Sequence, residues 1–228
     1  MQNQQPSTLK EIRVHGTQDF PCAFYQTGTR IRGNMVKHHW HEEVELLYFS
    51  GGEFCLEINM ERFEISEECF YFVNPGELHS ISVEKNGGCV ENAVVFHMDM
   101  LSSAYALDQI QTNLIQPVQN GSIQFPRCLR KNEPAFEPVR KSYEEIRNVF
   151  GGDSFRENYY DGEAVTDDIT RQLFIKSALL RILAVLSANN LFEVTEKNHD
   201  HRIETIKTTL TYIQENYKEK IYIRDLAG

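Results

Sequence analysis

The stretch that decides the fold runs from Gly33 to His79. It opens with Gly33-Asn34-Met35-Val36-Lys37-His38-His39-Trp40-His41-Glu42-Glu43-Val44-Glu45 and closes with Asn74-Pro75-Gly76-Glu77-Leu78-His79. Successive side chains of a β-strand point to opposite faces. A single strand over residues 37–49 would therefore place four polar side chains on one face: His39, His41, Glu43 and Glu45. In a small barrel, where alternate residues line the interior, this face would form a pocket.

The rest of the N-terminal half has the spacing of short strands that is typical of an all-β domain. Short runs of alternating or continuous apolar residues are separated by turn residues, which favours a barrel or a sandwich. The predicted strands cover residues 20–32, 37–49, 54–60, 69–73, 79–83 and 90–98. The apolar phase changes after Met60, which predicts a tight hairpin at residues 59–62.

Helical patterns replace the strands after about residue 100. Val139, Tyr143, Ile146 and Phe150 recur at helical spacing. A longer helix is predicted from Asp167-Asp168 to Asn189, and its segment from Ala178 to Leu186 is apolar on nearly every face. Such a helix must be covered on two sides, so we expect a homodimer built by this helix.

We expect that replacing Leu179 and Leu183 with Glu gives a monomer or insoluble protein, because a buried unpaired charge is costly. Residues 193–201 are polar and predict a linker. An amphipathic helix then follows, with Ile203, Ile206, Leu210, Ile213 and Tyr217 at steps of three and four.

Composition limits the class of protein. The chain has 228 residues, a hydrophobic content of 41% and a formal net charge of −10, which argues against nucleic-acid binding over the whole surface. Five widely spaced cysteines without a C-x-x-C motif favour reduced thiols and a cytoplasmic location. We expect neither a signal peptide nor a membrane span, because the N-terminus is polar and no apolar stretch reaches about 18 residues.

The histidine-rich stretch resembles the first motif of the cupin superfamily, whose positions are matched here by Gly33, His39, His41, Glu45 and Gly52. The second cupin motif is matched by Gly76 and His79. It departs from the family in that Pro75 directly precedes Gly76, and Val83 stands where an Asn is expected. The resemblance implies a double-stranded β-barrel (jelly roll) followed by helices, mainly β in an α+β class.

Other segments resemble the AraC family of transcription regulators. Residues 74–79 and the pair Trp40-His41 are typical of its sensor domain, and residues 212–227 are similar to the opening of its DNA-binding domain. The resemblance implies four parts. They are a cupin-like effector-binding barrel with an N-terminal arm (1–100), the remaining barrel edge with a helical dimerisation segment (101–190), a linker (191–201) and the start of a helix-turn-helix domain (202–228).

The resemblance implies a ligand-sensing regulator and no catalytic residue. A small molecule such as a sugar or metabolite would bind in the barrel, and DNA would be contacted only through the remainder of the C-terminal domain. We expect His39, His41, Glu45 and His79 to bind this effector without a cofactor. Which of Glu43 and Glu45 faces the pocket is left open.

Two alternatives remain. The same four residues match the metal ligands of metal-dependent cupins, so a divalent transition metal is the alternative ligand. A metal-dependent cupin enzyme, a dioxygenase or an isomerase, is the alternative function. A structural or storage cupin would need no site.

Overall fold

The computed structural model describes residues 9–29, 32–85, 89–105, 107–151, 160–161, 168–195 and 201–222. The strands of these residues, in chain order, are β1 Cys22–Thr29, β2 Gly33–His39, β3 Val44–Phe49, β4 Phe54–Ile58, β5 Glu61–Ile65, β6 Cys69–Val73, β7 His79–Val83, β8 Cys89–Phe96, β9 Ile123–Gln124, β10 Cys128–Arg130, β11 Tyr160–Asp161 and β12 Glu193–Val194. The helices are a 3₁₀ turn Met98–Leu101, a π-helical turn Gln111–Ile115 that continues into α1 Gln116–Gln119, α2 Phe136–Val149, α3 Ile169–Ala188 and α4 His201–Asn216.

Two antiparallel sheets form the body of the molecule. One has the strand order β10-β6-β3-β8-β1-β11, and the other has the order β2-β7-β4-β5. A core between them contains Leu47 and Phe49 of β3 together with Leu56 of β4 and Ile81 of β7. The fold is therefore a cupin-like β-sandwich, mainly β with some helices, as the sequence predicted.

The outer face of the six-stranded sheet is covered by helices. Val44 and Leu46 of β3 point away from the four-stranded sheet, because side chains alternate along the strand. They join a second core with Tyr143 of α2 and Ile182 of α3. A strand buried on both faces must be apolar on both, which explains why β3 and β6 read as nearly continuous apolar runs.

The hairpin between β4 and β5 is confirmed. Asn59 and Met60 form its two-residue turn with φ values of 50° and 69°. Positive φ at both central residues matches the right-handed twist of the flanking strands. The turn therefore explains the change of apolar phase in the sequence.

The predicted continuous strand over residues 37–49 is wrong. β2 ends at His39 in the four-stranded sheet, and β3 begins at Val44 in the six-stranded sheet. Between these two strands, the backbone forms hydrogen bonds with other segments of the chain. Trp40 N donates to Leu9 O, and His41 O accepts from Gly76 N. The chain crosses from one sheet to the other here, so strand parity does not extend from His39 to Glu45.

The long helix α3 starts one residue after Asp168, whose carboxylate accepts hydrogen bonds from the backbone N–H groups of Thr170 and Arg171. Leu179 and Leu183 are buried in the core of their own chain, so of the two expected results of replacing them with Glu, insoluble protein is favoured over a monomer. Four apolar side chains of α3 are exposed: Ile169, Leu173, Phe174 and Leu180.

Several predicted features lie outside the described residues: Asp167, residues 196–200 of the linker and residues 223–228 of the predicted DNA-binding segment. The amphipathic pattern that begins at Ile203 falls on α4. No helix that the structure describes combines the length and the apolar character needed to cross a membrane.

Candidate metal and ligand site

The four residues singled out in the sequence come together in space. One ligand atom from each of His39, His41, Glu45 and His79 lies within 4.8 Å of the others. His39 at the end of β2 is paired in register with His79 at the start of β7. Glu45 comes from the opposite sheet and His41 from the crossing segment. The site is thus built where the two sheets meet.

Glu77 holds the loop that positions His79. Its carboxylate forms two bonds to the guanidinium of Arg127, at 2.5 and 2.7 Å, and accepts the backbone N–H of Asn74 at 2.8 Å. The loop turns at Gly76, whose φ is +79°. Gly76 N donates to His41 O at 2.7 Å, so this loop also fixes the crossing segment.

The three histidines share one hydrogen-bond arrangement. Each Nδ1 lies beside a backbone carbonyl two residues away in the chain: His39 with Lys37 at 2.8 Å, His41 with Glu43 at 3.2 Å and His79 with Glu77 at 2.9 Å. A carbonyl oxygen only accepts, so Nδ1 carries the proton. In the neutral imidazole, Nε2 then presents a lone pair to the cluster.

Acceptor atoms therefore face one another at the centre of the site. Glu45 Oε2 lies 2.9 Å from His79 Nε2 and 3.6 Å from His41 Nε2. Glu45 Oε2 and His79 Nε2 are buried and neither has a hydrogen-bond partner. A proton or a cation must lie between them, since two buried acceptors repel. Metal-binding histidines are held by their other ring nitrogen in this same way, so these residues fit a divalent transition metal.

The protonation states agree with that fit. Burial, and next the neighbouring His79, lower the pKa of His39 to about 4, so its ring is neutral near pH 7. Burial alone would raise the pKa of the Glu45 carboxyl, but His41 and His79 hold it well below its usual value. Metals bind the neutral imidazole and the ionised carboxylate, which are the forms favoured for His39 and Glu45.

The structure also separates the neighbouring acidic residues. Glu43 Oε2 lies 3.6 Å from Nδ1 of His41, on the side of the ring away from Glu45. Glu45 is the carboxylate that joins the three histidines.

A further buried acid, Glu91 of β8, is 2% exposed, and its Oε1 has no hydrogen-bond partner. Burial and the charge of Glu45 raise the pKa of Glu91 well above its usual value.

Two residues beside this cluster were missed in the sequence. Glu11 and His15, with His41, form a second group whose ligand atoms lie within 4.8 Å of one another. Both precede the first strand that was predicted from the sequence, which begins at residue 20. A Glu and a His four residues apart are too common in sequences to predict a site, so no signal short of the folded structure identifies them.

A β-sandwich with three histidines and a carboxylate gathered between its sheets is a cupin-type binding domain. Residues 24–148 match the family model of the AraC-like ligand binding domain. This match covers more than half of the chain, and the chain belongs to that family. The resemblance to AraC-type regulators is thereby confirmed.

A curated relative covers nearly the whole chain. It is an uncharacterized HTH-type transcriptional regulator, YdeC, from Bacillus subtilis (strain 168). The two are 26% identical over 227 residues, which is 96% of this chain and 69% of the relative.

Parts of the chain are similar to solved structures. A predicted oxalate decarboxylase from Thermotoga maritima is 26% identical, with 33% of this chain and 67% of that chain covered and a TM-score of 0.31. A cupin protein from Bacteroides fragilis is 15% identical, with 38% and 75% covered and a TM-score of 0.32. Because these scores are low, the fold rests on the two sheets and the family match instead.

Proposed function

We propose that this chain is the ligand-sensing part of an AraC-type transcription regulator, and that His39, His41, Glu45 and His79 form its ligand site with a divalent transition metal. The observation that carries the proposal is the gathering of His39, His41 and His79 around the buried Glu45 carboxylate, whose Oε2 lies 2.9 Å from His79 Nε2 and 3.6 Å from His41 Nε2. A bound divalent ion would place positive charge between these acceptor atoms. It could also bind an oxygen atom of a small-molecule effector.

The expectation from the sequence was a polar pocket without metal. A pocket that recognises a ligand by hydrogen bonds needs donors as well as acceptors, arranged to satisfy one another when the ligand is absent. Here a backbone carbonyl already accepts the Nδ1–H of His39, His41 and His79. Either a proton or a metal ion can then lie between Glu45 and His79, and the metal is the alternative that we propose and test.

The regulator would act as a homodimer, with a closed jelly-roll barrel, the linker at 191–201 and a helix-turn-helix domain beginning near residue 202. Exposed apolar residues on α3 support the dimer. Lys207 Nζ of α4 lies 4.5 Å from the centroid of the Trp40 ring. Trp40 stands between His39 and His41 in the chain, so this contact supports communication between the site and the C-terminal part.

Metal content tests the ligand site. Protein purified without an affinity tag and dialysed should hold close to one transition-metal ion per chain by elemental analysis. Glu45→Gln should lose the ion, whereas Glu43→Gln, two residues away and outside the cluster, should keep it. Circular dichroism must show that both variants fold. A metal-free wild-type chain that also fails to take up Zn²⁺, Mn²⁺, Fe²⁺, Co²⁺ or Ni²⁺ would refute the metal site.

A second experiment separates the regulator from the metal-dependent enzyme. Glu45→Gln is introduced into the chromosomal gene of the native host, with Glu43→Gln as the matched control. The regulator predicts altered transcript levels for a small set of genes in the first strain only. Unchanged transcripts, together with turnover of a small molecule by the purified wild-type chain, would contradict the regulator and support a dioxygenase or an isomerase.

A further inference from the structure

The segment from Leu9 to His15 lies beside the histidine cluster. Leu9 is buried, its carbonyl accepts from Trp40 N at 3.0 Å, and Glu11 N donates to Trp40 O at 2.9 Å. Trp40 belongs to the segment that crosses between the two sheets. These bonds therefore place the Glu11 side chain next to the site.

The cluster is open to solvent on the side of Glu11. The side chains of His39 and Glu11 are 21% and 25% exposed. The other three members of the cluster are more deeply buried, with exposed fractions of 1% for His79, 4% for His41 and 11% for Glu45. A small molecule that approaches an ion in the cluster therefore passes most directly between His39 and Glu11.

His15 holds the Glu11 carboxylate at this opening. Glu11 Oε2 lies 3.5 Å from His15 Nε2 and 3.4 Å from His39 Nε2. The Tyr25 hydroxyl lies 2.7 Å from His15 Nδ1 and can donate its proton there, which leaves the ring proton of His15 on Nε2, facing the carboxylate. Glu11 groups with His15 and His41 and lies outside the four-ligand set, so it stands beside the ion without being its ligand.

Two cations of the same segment are directed at other groups. Lys10 forms an ion pair with Glu42 at 2.9 Å. The guanidinium carbon of Arg13 lies 4.8 Å from the centroid of the Tyr25 ring. The charge that this segment places against His39 is therefore the negative charge of Glu11.

The charges at the site limit the chemistry of an effector. A divalent ion carries two positive charges, and the carboxylates of Glu45 and Glu11 carry one negative charge each near pH 7. Their sum is zero, so an effector that adds two negative charges would leave uncompensated charge in a partly buried site, which is costly. A carboxylate accepts hydrogen bonds and donates none, so an effector atom beside Glu11 must carry a hydrogen.

We propose that Glu11 is a specificity-determining residue of the site: it favours an effector with an O–H or N–H hydrogen beside its metal-binding oxygen, and it disfavours dianions without such a hydrogen, such as dicarboxylates. This inference rests on the proposed metal site and names the chemical class of its effector.

Two chelating probes test the selection. Acetohydroxamate and oxalate each bind metal ions through two oxygen atoms, but only acetohydroxamate keeps an N–H hydrogen, and it carries one negative charge instead of two. Each probe is titrated into the full chain loaded with Co²⁺, and the visible Co²⁺ spectrum gives its Kd. Glu11→Gln should shift the ratio of the two affinities towards oxalate by at least about tenfold, because a charged hydrogen-bond acceptor is lost.

A third probe isolates the hydrogen bond from the charge. N-methylacetohydroxamate has the charge and the chelating oxygens of acetohydroxamate but no N–H hydrogen. The wild type should bind it at least about fivefold more weakly than acetohydroxamate, and Glu11→Gln should reduce this difference.

Glu42→Gln is the matched control. It removes a carboxylate from the same neighbourhood, but that side chain is 56% exposed and lies outside the cluster. It should change the ratio of the acetohydroxamate and oxalate affinities less than about twofold.

The outcomes separate this inference from the proposed function. A wild-type chain that binds no Co²⁺ refutes the metal site and the selection by Glu11 together. A Co²⁺-loaded wild type that binds neither acetohydroxamate nor oxalate, or a ratio that is unchanged in Glu11→Gln or shifts equally in Glu42→Gln, refutes the selection alone. A shift confined to Glu11→Gln supports both.

Discussion

Two thiols illustrate how one neighbour sets the chemistry of a residue. Cys128 on β10 and Cys69 on β6 lie on adjacent strands, where Cys128 pairs with Tyr71 and Cys69 with Arg130. A hydrogen bond from the Cys69 thiol, aided by Tyr71 and Arg130, lowers the pKa of Cys128 to about 7. The same bond raises the pKa of Cys69. Cys128 is the partly exposed member of the pair.

Among the four cysteines whose side chains the structure describes, alkylation should therefore favour Cys128. We expect its rate of reaction with iodoacetamide to rise through pH 7, because the thiolate is the nucleophile. Cys69→Ala should move the midpoint upward, towards the usual value of about 8.5, because the hydrogen bond is lost. Peptide mass spectrometry over a pH series measures both. An unchanged midpoint in Cys69→Ala would contradict the assigned cause.

The bidentate pair of Glu77 and Arg127 is a stability prediction at the same scale. Arg127→Met leaves the buried Glu77 carboxylate without its partner and should lower the free energy of unfolding by about 3 kcal/mol. Arg62→Met, which breaks the exposed pair with Glu84, is the control and should cost less than about 1 kcal/mol. Urea unfolding compares them. Equal losses would contradict the role of burial.

At the scale of elements, some apolar residues of α3 are buried in the core and others are exposed on the surface. Leu179, Leu183 and their neighbours belong to the core of the chain. Ile169, Leu173 and Leu180 are exposed and fall within a narrow stripe at 100° per residue. An exposed apolar stripe on a helix is typical of an interaction surface.

Substitutions on the two sides of α3 should therefore have different effects. We expect Leu173→Glu to keep the fold and give a monomer at micromolar concentration, where the wild type sediments as a dimer. Leu179→Glu should instead unfold the chain, because it buries an unpaired charge. Analytical ultracentrifugation and circular dichroism measure the two effects. A monomeric wild type would refute the dimer.

Some of the elements could be predicted from the sequence, and others could not. The β4–β5 hairpin and the start of α3 were predictable because local patterns, a change of apolar phase and a capping Asp, determine them. The break after His39 was not, because it depends on hydrogen bonds from Trp40 to Leu9 and from Gly76 to His41. His39, His41, Glu45 and His79 were chosen correctly as neighbours, although the strand parity used for Glu45 fails at the crossing. Glu11 could be found only from the tertiary structure.

At the scale of the whole molecule, the site joins separate parts of the chain. His39 lies at the end of β2, His41 in the crossing segment, Glu45 in β3 and His79 at the start of β7. An ion bound there stabilises the folded chain relative to the unfolded one.

Metal should therefore raise global stability. At a free Zn²⁺ concentration a thousand times the Kd, the free energy of unfolding should rise by about 4 kcal/mol, less any binding to the unfolded chain. EDTA should reverse the gain, and Glu45→Gln should not show it. Urea unfolding at constant pH measures the difference. Equal stability of the wild type with Zn²⁺ and with EDTA would contradict the prediction.

Trp40, placed between two of the histidines, is the single tryptophan of the chain. The amino groups of Lys10 and Lys207 lie 4.7 and 4.5 Å from its ring centroid. All indole fluorescence of the protein therefore originates at one ring that contacts the N-terminal segment and α4 and adjoins the site. Its emission gives a label-free optical signal: a quenching ion such as Ni²⁺ should dim it on binding, and a change in position of either lysine should shift its wavelength.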